Sequence, residues 1–283
     1  MLKQRVITAV LLLAILLPAL FNPSPLPFCA LALVMISAGG WEWGRLNGCG
    51  PKLSWLVGLL CLVAGLLSWK SGLLAKPLPW VWSSTGAAWV LAGGWLLHRG
   101  VGGWPKIAQP LRLALGTMAI WLAWLALAQA RVIGVNFLLS VMVLVWVADI
   151  GAYFAGKAFG TRFIKRKLAA SISPGKSWEG VLGGMAGVLL LAWGWMLLDR
   201  SGATQVASFY SMLADRHSMP VMLLVVVFMA AMSVVGDLVE SLVKRSAGAK
   251  DSSALLPGHG GVLDRVDALL PTLPLAMMLV AWL

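Results

Sequence analysis

The sequence predicts an all-α protein, a polytopic bundle of about nine transmembrane helices with its N-terminus in the cytoplasm. Three observations carry that prediction. Only 11% of the 283 residues are charged while 60% are hydrophobic, and the mean hydropathy is +0.89. A water-soluble domain of this size would carry about a quarter charged residues. The apolar residues come in blocks of about 17–20, the length a helix needs to cross a bilayer core. The Lys and Arg residues, finally, are divided unevenly between alternate loops.

Taken in order, the apolar runs predict helices near 6–20, 26–41, 53–69, 79–97, 111–129, 132–150, 180–198, 219–236 and 268–283. Lys3 and Arg5 ahead of Val6–Leu17 resemble a secretory leader. No small-residue cleavage site precedes Asn22-Pro23, and more spans follow at once, so the first run is read as a retained helix. The second run is the shortest. Trp41, Trp43, Trp80, Trp82, Trp104 and Trp178 fall at span ends, where indoles favour either the membrane interface or hydrogen-bonded packing. With the N-terminus inside, 17 of the 22 Lys and Arg fall in inside segments and 5 in outside ones. Basic loops stay in the cytoplasm, which puts the loops 157–178 and 237–267 there. Ala152, Gly156 and Gly160, and again Gly183 and Gly187, repeat small residues every four positions, a pattern that lets membrane helices approach closely.

The net charge of +12 is explained by these loops. No nucleic-acid-binding motif accompanies it, so no nucleic-acid partner is expected. Cys29, Cys49 and Cys61 lack the spacing of a metal site or disulfide framework and read as small apolar residues.

The ten acidic residues are more informative. Seven of them lie at span ends or in the two large inside loops: Asp149, Glu179, Asp237, Glu240, Asp251, Asp264 and Asp267. A carboxylate in or beside a membrane costs several kcal/mol unless it is paired or binds a cation, so the cluster marks a site. Asp237, Glu240, Ser241 and Lys244 share one face of a helix continuing from the eighth span. Glu240 and Lys244 also form a simple i,i+4 pair. Asp264 and Asp267 stand one turn apart at the mouth of the last span. Carboxylates beside basic residues suit Mg²⁺ bound together with phosphates. Gly258-His259-Gly260-Gly261, ringed by Lys244, Arg245, Lys250 and Arg265, reads as a phosphate cradle. His259 is more readily a structural hydrogen bonder than a base. Gly175-Lys176-Ser177 resembles the end of a P-loop, but Ala170 stands where that motif needs Gly and no buried strand precedes it. Lys176 remains a point-charge phosphate contact. The run Arg162, Lys165, Arg166, Lys167 sets topology and attracts anionic head groups.

From Ser241 to Asp267 the sequence closely resembles the signature of the phosphatidate cytidylyltransferase family. It reads Ser241, Lys244-Arg245, Lys250-Asp251, His259-Gly260-Gly261, Asp264-Arg265 and Asp267. Asp149 with Tyr153–Lys157, and Ser173–Gly180, also look like the family, whereas residues 1–140 match only in hydropathy. The chain is accordingly divided into N-terminal helices, 1–140, and a catalytic membrane region, 141–283.

The resemblance implies that CTP and phosphatidic acid give CDP-diacylglycerol and pyrophosphate at a bilayer, the inner membrane if the source is bacterial, with the site facing the cytoplasm. It implies Asp237, Lys244, Arg245, Asp264 and Asp267 as catalytic, with Mg²⁺ on Asp237, Asp264 and Asp267. Lys176, Ser177, Ser241, Lys250, His259, Gly260, Gly261 and Arg265 would bind substrate, and Asp149, Glu179, Glu240 and Asp251 would lie nearby. A homodimer is compatible with it. Two alternatives stay open, a family member acting on another lipid phosphate and an anion transporter.

Overall fold

The computed structural model describes residues 2–282. Lys3 and Arg5, which carry the N-terminal share of the charge asymmetry, have side chains outside that description. Eleven α-helices are described: α1 (Leu2–Leu20), α2 (Leu26–Leu46), α3 (Pro51–Lys70), α4 (Pro79–Arg99), α5 (Gln109–Ile133), α6 (Val135–Phe159), α7 (Trp178–Arg200), α8 (Phe209–Arg216), α9 (Met219–Ser246), α10 (Leu263–Val266) and α11 (Leu269–Val280). Among the described residues there is no strand, only two isolated bridges in tight loops, Ala169 with Ser173 and Leu256 with Gly260. The all-helical expectation holds.

Six helices, α2, α3, α5, α6, α7 and α9, are long and apolar enough to cross a membrane. The other three predicted spans differ for separate reasons. The apolar part of α1 is short, Val6–Leu20. In α4 the run is diluted by Ser83, Ser84, Thr85 and His98. Of the last predicted span, 268–283, the helix α11 covers only the 12 residues Leu269–Val280. Every residue of α11 from Leu269 to Met277 is buried, against α4, α5 and α9 among others. A helix apolar all round is stable only where it is enclosed. By contrast, the outer faces of the longer helices expose large apolar side chains such as Leu190, Leu224 and Trp55, as lipid-facing surfaces do.

The small residues predicted to bring helices together do so between α6 and α7. A methyl group on Gly184 would lie 2.6 Å from the Ala148 carbonyl, and one on Gly180 would lie 2.9 Å from that of Ala152. Gly183 faces Ala155 just as closely.

Long-range side-chain hydrogen bonds gather at the two ends of the bundle, because only there do irregular segments leave backbone groups to satisfy. At one end, Trp43 donates to the Arg112 carbonyl at 3.1 Å, Trp104 to Asn47 Oδ1 at 3.2 Å and Thr8 to the Pro257 carbonyl at 3.0 Å. At the other, Gln129 donates to the Leu73 carbonyl at 2.6 Å and accepts from Trp82 Nε1 at 3.0 Å. There too Arg131 Nε donates to the Leu20 carbonyl at 3.0 Å, and Trp282 Nε1 donates to Ser83 Oγ at 3.0 Å. Trp43, Trp82 and Trp104 are thus buried donors, whereas Trp80 and Trp178 are exposed.

Candidate functional site

The first-named end of the bundle holds the charged groups. Its base is the last part of α9, which extends well beyond the predicted 219–236 to 28 residues. Asp237, Glu240, Ser241 and Lys244 follow one another up one face, as their spacing requires. Ser241 Oγ donates to Asp237 Oδ1 at 3.1 Å. Gly236 lets this face approach the α10–α11 junction, since a Cβ there would sit 2.5 Å from the Asp267 carbonyl oxygen and 2.8 Å from the Pro271 ring. Asp237 and Asp267 are thereby drawn to the same place.

Lys244 is buried and bridges two carboxylates, pairing with Glu240 and donating to Asp264 Oδ1 at 2.6 Å. The other oxygen of Asp264 is also engaged. It accepts from Ser252 N and Ser252 Oγ, both at 2.9 Å, and from Gly261 N at 2.8 Å. Burial pushes the Asp264 carboxyl up, but Lys244 and the two backbone N–H donors outweigh it and hold the group below its ordinary value. A carboxylate offers about four lone-pair positions, so only Oδ1 retains capacity. Asp264 is the post around which the loop 250–261 is wound.

A second carboxylate grips the same loop from α2. Glu42 is fully buried. It accepts from Val262 N at 2.9 Å, Leu263 N at 2.8 Å, Ser253 Oγ at 2.5 Å and Ser252 Oγ at 3.2 Å. Sequence reasoning missed this residue. The predicted second span ended at 41 because the carboxylate closes the apolar run. Its signal was a lone acidic residue beside Trp41 and Trp43 with no basic residue one turn before it. The grip explains the paired glycines. Gly260 takes φ +84, a left-handed conformation. At Gly261 a Cβ would collide with Ser252 Oγ and Glu42 Oε1.

The loop 160–177 closes the third side. Glu179 Oε1 accepts from Phe163 N at 3.0 Å and Ile164 N at 2.8 Å, fixing the start of the loop. Ser177 caps α7 by accepting from Gly180 N at 3.2 Å. Between them, Lys176 Nζ lies 2.5 Å from Asp237 Oδ2. Arg245 points away from the glycine turn, donating to the carbonyls of Ile172 at 3.4 Å and Ala249 at 3.1 Å.

Asp149, on α6, faces the same space. Its charge and that of Asp237 act on Asp267, whose carboxyl is pushed up to about 7, first by burial and then by these neighbours. Among the described residues there is no ready-made group of three metal-ligating side chains. Beside the glycine turn lies a cleft of about 540 Å³ lined by Lys250, Asp251, Ser253, Pro257, His259, Gly260 and Arg265, among others. His259 Nδ1 is buried with no partner among the described residues.

The structure therefore brings together Lys176, Asp237, Ser241, Lys244, Asp264 and Asp267, with Glu240 beneath them and Lys250, Asp251, His259 and Arg265 in the adjoining cleft. It turns Ser177, Glu179 and Arg245 toward holding the loops.

Comparison with known proteins bears on this arrangement. The model of the cytidylyltransferase family matches residues 3–283. A phosphatidate cytidylyltransferase of Pseudomonas aeruginosa is 39% identical across 97% of this chain and 95% of its own length. One of Haemophilus influenzae is 37% identical across 97% and 96% respectively. One of Bacillus subtilis is 38% identical over 52% of this chain and 48% of its own. A match that runs through both the α2 grip and the charged loops covers the whole framework of the site, and the chain belongs to the cytidylyltransferase family.

Proposed function

We propose that this protein is a phosphatidate cytidylyltransferase, transferring the cytidylyl group of CTP to phosphatidic acid and releasing pyrophosphate. The observation that carries the reading is the meeting of Lys176, Asp237, Lys244, Asp264 and Asp267 at one end of an apolar bundle, beside a cleft bearing Lys250 and Arg265. Near-full-length relatives carrying that name support it. An anion transporter would place its charges along the spans; here they gather at one end.

In this reading a phosphate oxygen of the lipid attacks the α-phosphorus of CTP in line. The bond to the bridging oxygen breaks, and pyrophosphate leaves with its electron pair. An ionised phosphate needs no strong base, so His259 has no proton to remove. Lys250, Arg265 and the glycine turn hold the triphosphate, and Lys176 and Lys244 neutralise charge at the reacting phosphates. The residues present fit Mg²⁺, which takes one or two protein carboxylates plus phosphate oxygens. Asp237 and Asp267 would hold it, and Asp264 would join only through Oδ1. Mg²⁺ supplies charge neutralisation on the phosphate oxygens when bound.

We further propose nine crossings with the N-terminus and the site in the cytoplasm. The contacts at the two bundle ends support that alternation. Thr8 and Glu42 meet the loop before α10, and Trp43 and Trp104 bond to one another's neighbours at the same end, while Leu20, Gln129 and Trp282 make their contacts at the far end. The charge asymmetry points the site end inward. Residues 141–283 would supply the reacting charges and residues 1–140 the Glu42 grip.

The test of the activity is purified protein in detergent with labelled CTP, Mg²⁺ and a panel of lipid phosphates. CDP-diacylglycerol and stoichiometric pyrophosphate are expected with phosphatidic acid. A preference for another lipid phosphate would reassign the acceptor, and no product with any would refute the reading.

A further inference from the structure

We infer that the loop between α6 and α7 is a docking surface for anionic lipid head groups that draws the phosphate-bearing lipid from the bilayer to the site, an inference that rests on the reading above. Residues 162–167 form a continuous exposed stretch carrying four cations, Arg162, Lys165, Arg166 and Lys167. None of the four has a carboxylate partner among the described residues. Each such uncompensated cation near an anionic surface adds attraction. A purely solvated loop would carry polar side chains between its charges, but this one carries Phe163, 72% exposed, and Ile164, with Phe159 close by. The Phe159 and Phe163 rings lie 6.2 Å apart, and the Arg162 guanidinium sits over the Phe163 ring at 5.9 Å. Exposed rings beside cations, where two spanning helices emerge, are what the interface between head groups and acyl chains accommodates.

The loop is also fixed in place and connected to the site. Glu179 clamps the backbone of Phe163 and Ile164. Farther along the same loop, Arg245 binds the Ile172 carbonyl, and Lys176 reaches Asp237. One segment thus presents cations and rings to the lipid at its start and a lysine to the reacting carboxylates at its end. A soluble nucleotide would have no use for the rings. A lipid phosphate monoester, more highly charged than a phosphodiester head group, fits both halves.

The test uses the full chain in phosphatidylcholine vesicles with a graded mole fraction of phosphatidate. The variant Lys165→Gln/Arg166→Gln/Lys167→Gln is compared with the unsubstituted protein and with the charge-preserving Lys165→Arg/Lys167→Arg. Removing three cations should raise the half-saturating phosphatidate fraction by about a hundredfold, since each contributes on the order of a factor of five. The KM for CTP and kcat at saturating lipid should stay unchanged, and the charge-preserving variant should match the unsubstituted protein. Phosphatidylglycerol added to the vesicles should compete in the unsubstituted protein and lose that effect in the triple variant. Phe163→Ser should raise the lipid requirement without touching CTP.

An unchanged lipid requirement in the triple variant would confine the cations to topology and overturn the inference, and so would a rise in the CTP KM alone. If the triple variant is inactive, Phe163→Ser decides alone, and normal lipid dependence there overturns the proposal. Failure of the unsubstituted protein to make any CDP-lipid would instead refute the activity on which the inference rests.

Discussion

At the scale of single residues, two carboxylates divide the work of building the loop. Asp264 and Glu42 accept seven hydrogen bonds between them from residues 252–263, besides the contact from Lys244. Glu42→Gln replaces one acceptor oxygen by an NH₂ group facing a backbone N–H or a hydroxyl. The lost bond and the opposed donors cost about 1–3 kcal/mol, so kcat/KM for CTP should fall between about fivefold and a hundredfold. Normal kinetics in protein that still inserts would reduce Glu42 to packing. Asp267 differs in kind. One of its oxygens accepts from Ala268 N at 2.8 Å, and it sits in the field of Asp237 and Asp149. Asp267→Asn removes the charge a hard cation needs, and turnover should fall by about a hundredfold or more. The Mg²⁺ needed for the residual rate should rise. Unchanged Mg²⁺ dependence would move the cation to Asp264 or Asp149.

At the scale of elements, close helix contacts translate packing into site geometry. Gly236→Ala puts a methyl group 2.5 Å from the Asp267 carbonyl oxygen and must move α9 against the α10–α11 junction. Activity should drop by about tenfold, because overpacking costs about 1–3 kcal/mol and its strain falls on Asp237 and Asp267. Gly65→Val, where α3 packs on Leu33 of α2 toward the opposite bundle end, should lower the unfolding midpoint in detergent by several degrees, with kcat largely kept. Equal effects of the two substitutions on kcat would contradict the separation.

The same elements show what the sequence made legible. Helix identity was readable from apolar blocks, and the i, i+3, i+4, i+7 run from Asp237 to Lys244 correctly extended α9 beyond its apolar part. The end of α2 was not readable, because hydropathy treats the buried Glu42 as a boundary while its hydrogen bonds let the helix run on to Leu46. The last predicted span forms only the 12-residue α11, whose residues from Leu269 to Met277 are buried against protein, a setting that hydropathy does not distinguish from lipid. Within the site, the signature placed Asp264 and Lys244 in the same stretch of chain. Their direct pairing joins residues 20 apart across an irregular loop, and the partner on α2 lies more than 200 residues away in sequence; no local spacing encodes either contact.

At the scale of the whole molecule, the two ends of the bundle make the proposed orientation measurable. Cys29 and Cys61 are buried, so replacing Cys49 by Ser leaves a background quiet to thiol reagents. Ala254, in the site loop, and Ala203, between α7 and α8, are both exposed. Ala203→Cys should react with a membrane-impermeant reagent in intact cells, and Ala254→Cys only after lysis. The reverse pattern would invert the topology.

The Glu42 grip also has a consequence in time. Its first partner in chain order, Ser252, is made 210 residues later. At roughly 5–20 residues per second, a ribosome needs about 10–40 s to supply it. Throughout that interval α2 carries a carboxylate with no partner and therefore cannot settle in its final buried position without a cost of several kcal/mol. The N-terminal helices must stay loosely assembled, or sheltered by the insertion machinery, until the loop after α9 arrives. Closure of the site is then the event that completes the bundle.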